Sequence, residues 1–179
     1  VGGYTWQVTT TQKLFRDTAA WYHIVLAFDS TQATNTNRIK MWINGTQYTS
    51  WTTVTWPSQN HDTYMNKAST EMAIGGWGST TTLNGLCAEY HLLDGTAVSN
   101  PDDFGEVDED YGHWKPKKVS GLTYGTNGFY LDFADSSNLG NDANGGTDLT
   151  EVGITASDQM LDSPTNNFCT INPLDEAPS

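Results

Sequence analysis

Between Trp21 and Phe28 apolar side chains occupy both parities of the chain (Trp21-Tyr22-His23-Ile24-Val25-Leu26-Ala27-Phe28), which predicts a central strand covered on both faces. From Arg38 to Ile43 the pattern alternates instead. Ile39, Met41 and Ile43 fall on one face, and Arg38, Lys40 and Trp42 on the other. Asn44-Gly45 follows at once, the pair that best accepts positive φ at both corners of a tight hairpin, so Thr46 to Thr49 reads as the returning strand. Asn44-Gly45-Thr46 also spells a glycosylation sequon, but the turn accounts for these residues without it. Tyr4 to Thr9 alternates aromatic and polar residues and reads as an edge strand. Trp51 to Lys67 reads as loop, while Glu71 to Trp77, Asn84 to Leu93 and Gly128 to Phe133 read as further strands. Asp94-Gly95-Thr96 is a turn. Ser99 to Phe104 has a capping residue ahead of Pro101 and acids behind it, the signature of a single helical turn.

Composition points the same way. Seven Trp, eight Tyr and six Phe are set among Thr, Asn, Gly and Ser, a mixture that favours strands and turns over helices. A chain of 179 residues is enough for one domain with a real core. The expected organisation is one β-sandwich over residues 1–173 and a tail or linker over 174–179. Eight Lys and Arg stand against 21 Asp and Glu, a formal charge of −13. The densest basic run, Lys115-Pro116-Lys117-Lys118, directly follows an acidic one, so neither nucleic acid nor an anionic membrane is an expected partner. No stretch has the length of a membrane span or the layout of a signal peptide. The start at Val1 and the loose Pro-containing end suggest a processed product or a piece of a longer protein. Cys87 and Cys169 each lie among apolar or small residues and read as buried free thiols, with a disulfide between them as the alternative.

The Trp-x-His-Ile-Val strand, the Asp-led loop after it and the Arg-Ile-x-Met-x-Ile-Asn-Gly hairpin resemble the middle of laminin G-like, concanavalin A-like modules. The second half narrows the likeness. Asp94-Gly95-Thr96, Phe104-Gly105-Glu106, Trp114-Lys115-Pro116, Gly128 to Phe133, Gly140-Asn141-Asp142 and Asp162-Ser163-Pro164-Thr165-Asn166-Asn167-Phe168 resemble laminin G-like segments of virion proteins of tailed bacteriophages, particularly aquatic ones. The resemblance runs from about residue 20 to 173. It implies an all-β fold, an antiparallel jelly-roll β-sandwich with long loops, and a place in a tail, fibre or head surface without an assigned reaction.

Candidate chemistry falls in four places. Glu106, Asp108 and Asp110 sit at alternating positions, as the nucleophile and acid do in glucanases built on this sandwich. They depart from that pattern because the last acid is Asp, Glu109 intrudes where an apolar residue belongs, and a Trp-Lys-Pro loop follows. A solvated acidic loop is the preferred reading. His23 reads as a hydrogen-bonded core residue rather than a catalytic base, and Glu89 and His91 as solvent-facing sheet residues rather than an acid–base pair.

The loop after Phe133 is dense in Asp, Asn and Gly, and two readings stay open for it: a calcium site, or turns whose side chains bond their own backbone. Counted from Gly140, oxygens fall at Asp142, Asn144, Asp148 and Glu151 in EF-hand-like order. The first ligand is missing and no helices flank the loop. Asp135, Asn138, Asp142, Asn144 and Asp148 form the candidate metal set, and laminin G-like modules often bind calcium at the sandwich rim. Trp42, Trp77 and Trp114 are the candidate ligand-binding aromatics, since a flat ring beside Asp and Asn can stack on a sugar. The expected role is a non-enzymatic virion-surface module contacting other virion subunits, sister copies or a host-surface glycan. A glycan hydrolase using Glu106 and Asp108, or a bacterial extracellular carbohydrate-binding adhesin, is the alternative.

Overall fold

The computed structural model describes residues 6–9, 15, 20–63, 65, 70–77 and 81–160. Among these the protein is nearly all-β, with no α-helix. The strands in chain order are β1 (Gln7–Thr9), β2 (Ile24–Phe28), β3 (Ile39–Ile43), β4 (Thr46–Tyr48), β5 (Thr53–Thr55), β6 (Gly76–Trp77), β7 (Thr81–Thr82), β8 (Tyr90–Leu92), β9 (Gly105–Val107), β10 (Trp114–Pro116) and β11 (Phe129–Leu131). Asn35–Asn37 and Ala156–Asp158 form single 3-10 turns. All pairing is antiparallel: β2-β3-β4 is a three-stranded sheet, and β1-β5, β6-β7, β8-β11 and β9-β10 are two-stranded.

The β3–β4 hairpin forms where its sequence predicts. Asn44 has φ 47° and Gly45 φ 75°, positive at both corners, and Ile43 lies opposite Thr46. At Ser99 to Phe104 the chain makes a turn, with the Asn100 side chain accepting the Asp102 N–H at 3.0 Å and Phe104 N–H donating to Pro101 at 3.0 Å.

The main cluster of buried side chains sits on one face of the three-stranded sheet. Val25, Ala27 and Trp42 are buried together, with Val98 and Phe104 packed against them. This corrects the expectation for Trp42. Val25 lies directly opposite Trp42 in the register, so the parity that carries Val25 and Ala27 takes Trp42 inward, and its ring is only 4% exposed. Arg38, expected on a polar face, is also buried. Its guanidinium donates to the carbonyls of Gln32 (2.9 Å), Ala33 (3.0 Å) and Pro57 (2.6 Å), tying the loop before β3 to the fully buried Pro57.

Three further readings are corrected. β2 stands at the edge of its sheet, and Ile24 and Leu26 are 53% and 57% exposed, so this strand is neither central nor covered on both faces. Its apolar run is legible, but which parity is covered depends on elements distant in sequence. The stretch from Trp51 contains β5, and the Trp-Lys-Pro sequel of the acidic run is strand β10 paired with β9, while Asp108, Glu109 and Asp110 lie in the turn between them. Cys87 is an exposed free thiol, not a buried one. Cys169, the Asp162–Phe168 segment and the tail over 174–179 lie outside the described residues.

Candidate functional site

Trp114, expected to present its face to a ligand, is half-buried and wedged between hairpins. Its indole N–H donates to His23 Nδ1 at 3.0 Å, and the two rings are 5.8 Å apart. The six-membered ring lies over Gly45 and Gly105 so closely that a Cβ at Gly105 would fall 2.5 Å from it, and one at Gly45 closer still. Both glycines are therefore required by the ring that covers them. His23 holds the same corner from below: its N–H donates to Asn44 Oδ1 and its C=O accepts the Asn44 N–H, each at 2.8 Å. Burial lowers the His23 pKa, consistent with a neutral core imidazole accepting at Nδ1. Trp77 is placed only as backbone in β6, its side chain lying outside the described residues.

The acidic hairpin is organised around Lys115. Its ammonium lies 3.1 Å from Asp108 Oδ2 and 3.6 Å from Glu106 Oε1. The other Asp108 oxygen accepts the N–H groups of Asp110 and Tyr111, both at 3.0 Å, closing the turn. The Lys115 hydrogen bond, aided by these backbone donors, holds the Asp108 carboxyl below its ordinary value. A glycosidase acid needs the opposite shift, so Lys115 works against that role for Asp108.

In the loop after β11 the carboxylates bind the chain itself. Asp142 is 4% exposed, with Oδ1 accepting the N–H groups of Tyr130 and Asn144 and Oδ2 that of Gly146, all at 2.9 Å. Asp148 accepts the Asp142 N–H at 3.0 Å and the Asn138 amide at 2.9 Å, and Asp135 accepts from Ser137 through both backbone and hydroxyl. These bonds lower the pKa of Asp148, chiefly through the Asp142 N–H, and of Asp135, chiefly through the Ser137 hydroxyl. The carboxylates of this loop thus accept from its own backbone and from neighbouring side chains. Among the described residues no group of three or more His, Cys, Asp or Glu that could hold a metal ion is found.

The arrangement with the most chemistry lies on the β8–β11 ladder. His91 stands opposite Tyr130, and their rings stack at 4.3 Å and 8°. His91 Nδ1 is 2.7 Å from the Tyr124 hydroxyl, and Tyr130 donates its hydroxyl to Glu89 Oε2 at 2.5 Å. Glu89 Oε2 is also 3.8 Å from His91 Nε2, a buried nitrogen without a hydrogen-bond partner. A carboxylate on that side assigns the proton of the neutral ring to Nε2, with Tyr124 donating to Nδ1.

Glu89 reaches this position from the left-handed region, φ 54°, which few non-glycine residues occupy. The expectation that both side chains face solvent is thus corrected for His91, whose side chain is 8% exposed, while Glu89 is exposed. Beside the cluster a shallow groove is lined by Tyr124, Tyr130, Ser120, Leu122, Ala143 and Asn144. The alternation Phe129-Tyr130-Leu131 could have marked Tyr130 as outward. Its meeting with His91 and Tyr124 could not be read, because β8 and β11 are far apart in sequence.

Burial, with a smaller contribution from the charge of His23, pushes the His91 pKa down to about 4. Neutral His91 is therefore favoured in the fold. Its stabilisation is complete above the unfolded value near 6.5 and is lost as pH falls from there to about 4. The expected loss across this window is about 2 to 3 kcal/mol. Urea midpoints measured from pH 7 to pH 4 should show it, and His91→Phe, which keeps the stack but cannot titrate, should flatten the curve. An equally steep curve in that variant would assign the acid sensitivity elsewhere.

No helix among the described residues is long and apolar enough to cross a membrane. No family model matches the chain, and neither a curated protein nor a solved structure matches it.

Proposed function

We propose that this chain is a non-enzymatic surface or structural module of a bacteriophage particle, a laminin G-like jelly-roll sandwich that works by contact. The ordered series of motifs from the Trp-x-His-Ile-Val strand to Asp162–Phe168 supports the family and the setting. One observation carries the contact role over a catalytic one: the side chains best suited to acid–base work are engaged by the fold. Glu106 and Asp108 share Lys115, Glu89 accepts the Tyr130 hydroxyl, and the His91 ring is buried. Meanwhile Ile24, Leu26, Val107 and Tyr111 stand exposed.

The test pairs two measurements. Peptides of this chain, quantified in purified particles, are expected at a fixed ratio to the major head or tail protein. The isolated chain is expected to release no reducing ends from bacterial polysaccharides. Release that disappears in Glu106→Gln would establish the hydrolase instead. A second reading, host-glycan contact, is favoured by the groove at Tyr124 and Tyr130, where aromatic and amide groups converge. It predicts saturable glycan binding without turnover, weakened by Tyr124→Ala.

A further inference from the structure

We infer that Asn84-Gly85 is a self-modifying site, an exposed bend that closes through a cyclic imide and converts Asn84 to aspartate and isoaspartate, while the fold withholds the same reaction from the other Asn-Gly pairs. The inference goes beyond the contact role proposed above and does not depend on it.

The reaction needs only water as co-reactant. The Gly85 amide nitrogen attacks the Asn84 side-chain carbon, the new C–N bond closes a succinimide ring, the Cγ–Nδ2 bond breaks, and the amide proton leaves with ammonia. Water then opens the imide. Addition at the side-chain carbonyl gives aspartate, and addition at the main-chain carbonyl gives isoaspartate, whose backbone is longer by a methylene. Glycine after asparagine favours ring closure because no Cβ screens its nitrogen. The remaining requirement is geometric: the Gly N–H must be unengaged, and the Asn side chain must be able to swing onto it.

Four such pairs, at 44–45, 84–85, 127–128 and 144–145, carry the same reacting groups, so the sequence alone does not rank them. The structure does. Asn44 Oδ1 accepts the His23 N–H at 2.8 Å, and the Trp114 ring lies over Gly45. Asn127 donates through both its N–H (3.1 Å) and its side-chain amide (2.9 Å) to Asp94 Oδ2, and a Cβ on Gly128 would meet the Leu92 carbonyl at 2.6 Å. At 144–145 the nucleophile itself is taken: the Gly145 N–H donates to the Asp142 carbonyl at 2.8 Å, and the Asn144 N–H to the Asp142 carboxylate at 2.9 Å. Each of these three must open locally before its ring can close.

Asn84-Gly85 is held by nothing comparable. Both residues are exposed, and among the described residues neither takes part in a hydrogen bond. Apart from its chain neighbours, the nearest atom to a Cβ on Gly85 is the far end of the Leu83 side chain, at 4.0 Å. Leu83 and Leu86 are themselves 59% and 48% exposed. The bend links β7 to β8 without belonging to either strand, so its backbone can turn while the sheets stay paired. Each conversion adds a carboxylate to a chain that formally carries −13, which makes the product separable by charge.

Incubation of the intact folded chain at mildly alkaline pH, followed over time by ion exchange and by mass spectrometry of proteolytic peptides, tests this. The expected result is an acidic species whose new carboxyl maps to Asn84, as a mixture of aspartate and isoaspartate, formed about tenfold or more faster than at Asn44, Asn127 or Asn144. In guanidinium chloride the protection ends. The four sites should then react at similar rates, with Asn84 little changed and the other three accelerated. Asn84→Gln, whose longer side chain closes a ring poorly, should remove the early acidic species from the folded chain.

A folded chain in which Asn84 stays intact, in which another Asn-Gly pair reacts first or equally fast, or in which the early acidic species survives Asn84→Gln would overturn the inference. So would aspartate formed without isoaspartate, which marks direct hydrolysis of the amide. An unchanged ranking in guanidinium chloride would do so too, because it marks a preference set by neighbouring residues and not by the fold.

Discussion

Replacing buried Asp142 with alanine is expected to destabilise the protein by about 3 kcal/mol, because three part-buried N–H groups lose a charged acceptor in one step. The carboxylate is the knot of the second half. Its oxygens take the N–H groups of Tyr130, Asn144 and Gly146, while the Ala143 N–H returns a bond to the Tyr130 carbonyl at 2.8 Å. Beside it the Gly140 N–H donates to Glu151 and the Leu149 N–H to Gly140, keeping the loop folded over buried Leu139. Without the carboxylate, β11 loses the loop that braces it. Asp142→Asn should recover part of the loss, since one oxygen remains while the amide nitrogen faces a donor at Gly146.

Urea unfolding followed by tryptophan fluorescence measures both variants. The same assay tests the calcium expectation. With peptide donors holding Asp142, chelation should leave the midpoint unchanged, whereas a fall restored by added calcium would assign the loop to a metal.

The second large effect is expected at Trp114. Truncation to alanine removes a half-buried indole from between Gly45 and Gly105 and leaves His23 Nδ1 without its donor, at an expected cost of about 3 kcal/mol. Trp114→Phe keeps most of the packing and loses the hydrogen bond, for about 1 kcal/mol. The converse change should be comparable to truncation: Gly105→Ala places a methyl group 2.5 Å from the ring, so β9 or the indole must shift. A stable Gly105→Ala protein with native near-ultraviolet circular dichroism would show that the ring is not wedged as described. Because Trp114 supports the fold, loss of glycan binding in Trp114→Ala would not by itself identify a ligand platform.

The local devices of the chain were legible because they are written in neighbouring residues. Asn44-Gly45 specified its hairpin through the φ angles those residues tolerate, and Asn100-Pro101 its turn through a side chain that accepts a backbone N–H close by. The nearly all-β character followed from a composition that favours strands and turns. Partners across sheets were not legible. Trp42 shares a face with Lys40, as strict alternation placed it, yet that face also carries Val25 and Ala27 and is covered at Trp42. His91 looked solvent-facing by parity, yet β8 pairs with β11, and Tyr130 seals the ring.

What the sequence alone determined is where the chain extends and where it turns, since those choices depend on the φ and ψ preferences of adjacent residues. Which face of each strand is covered, which histidine is sealed from water and which carboxylate binds a peptide group were decided only in the tertiary structure. Burial and hydrogen bonding are properties of groups brought together from distant parts of the chain, and no periodicity along it encodes that meeting.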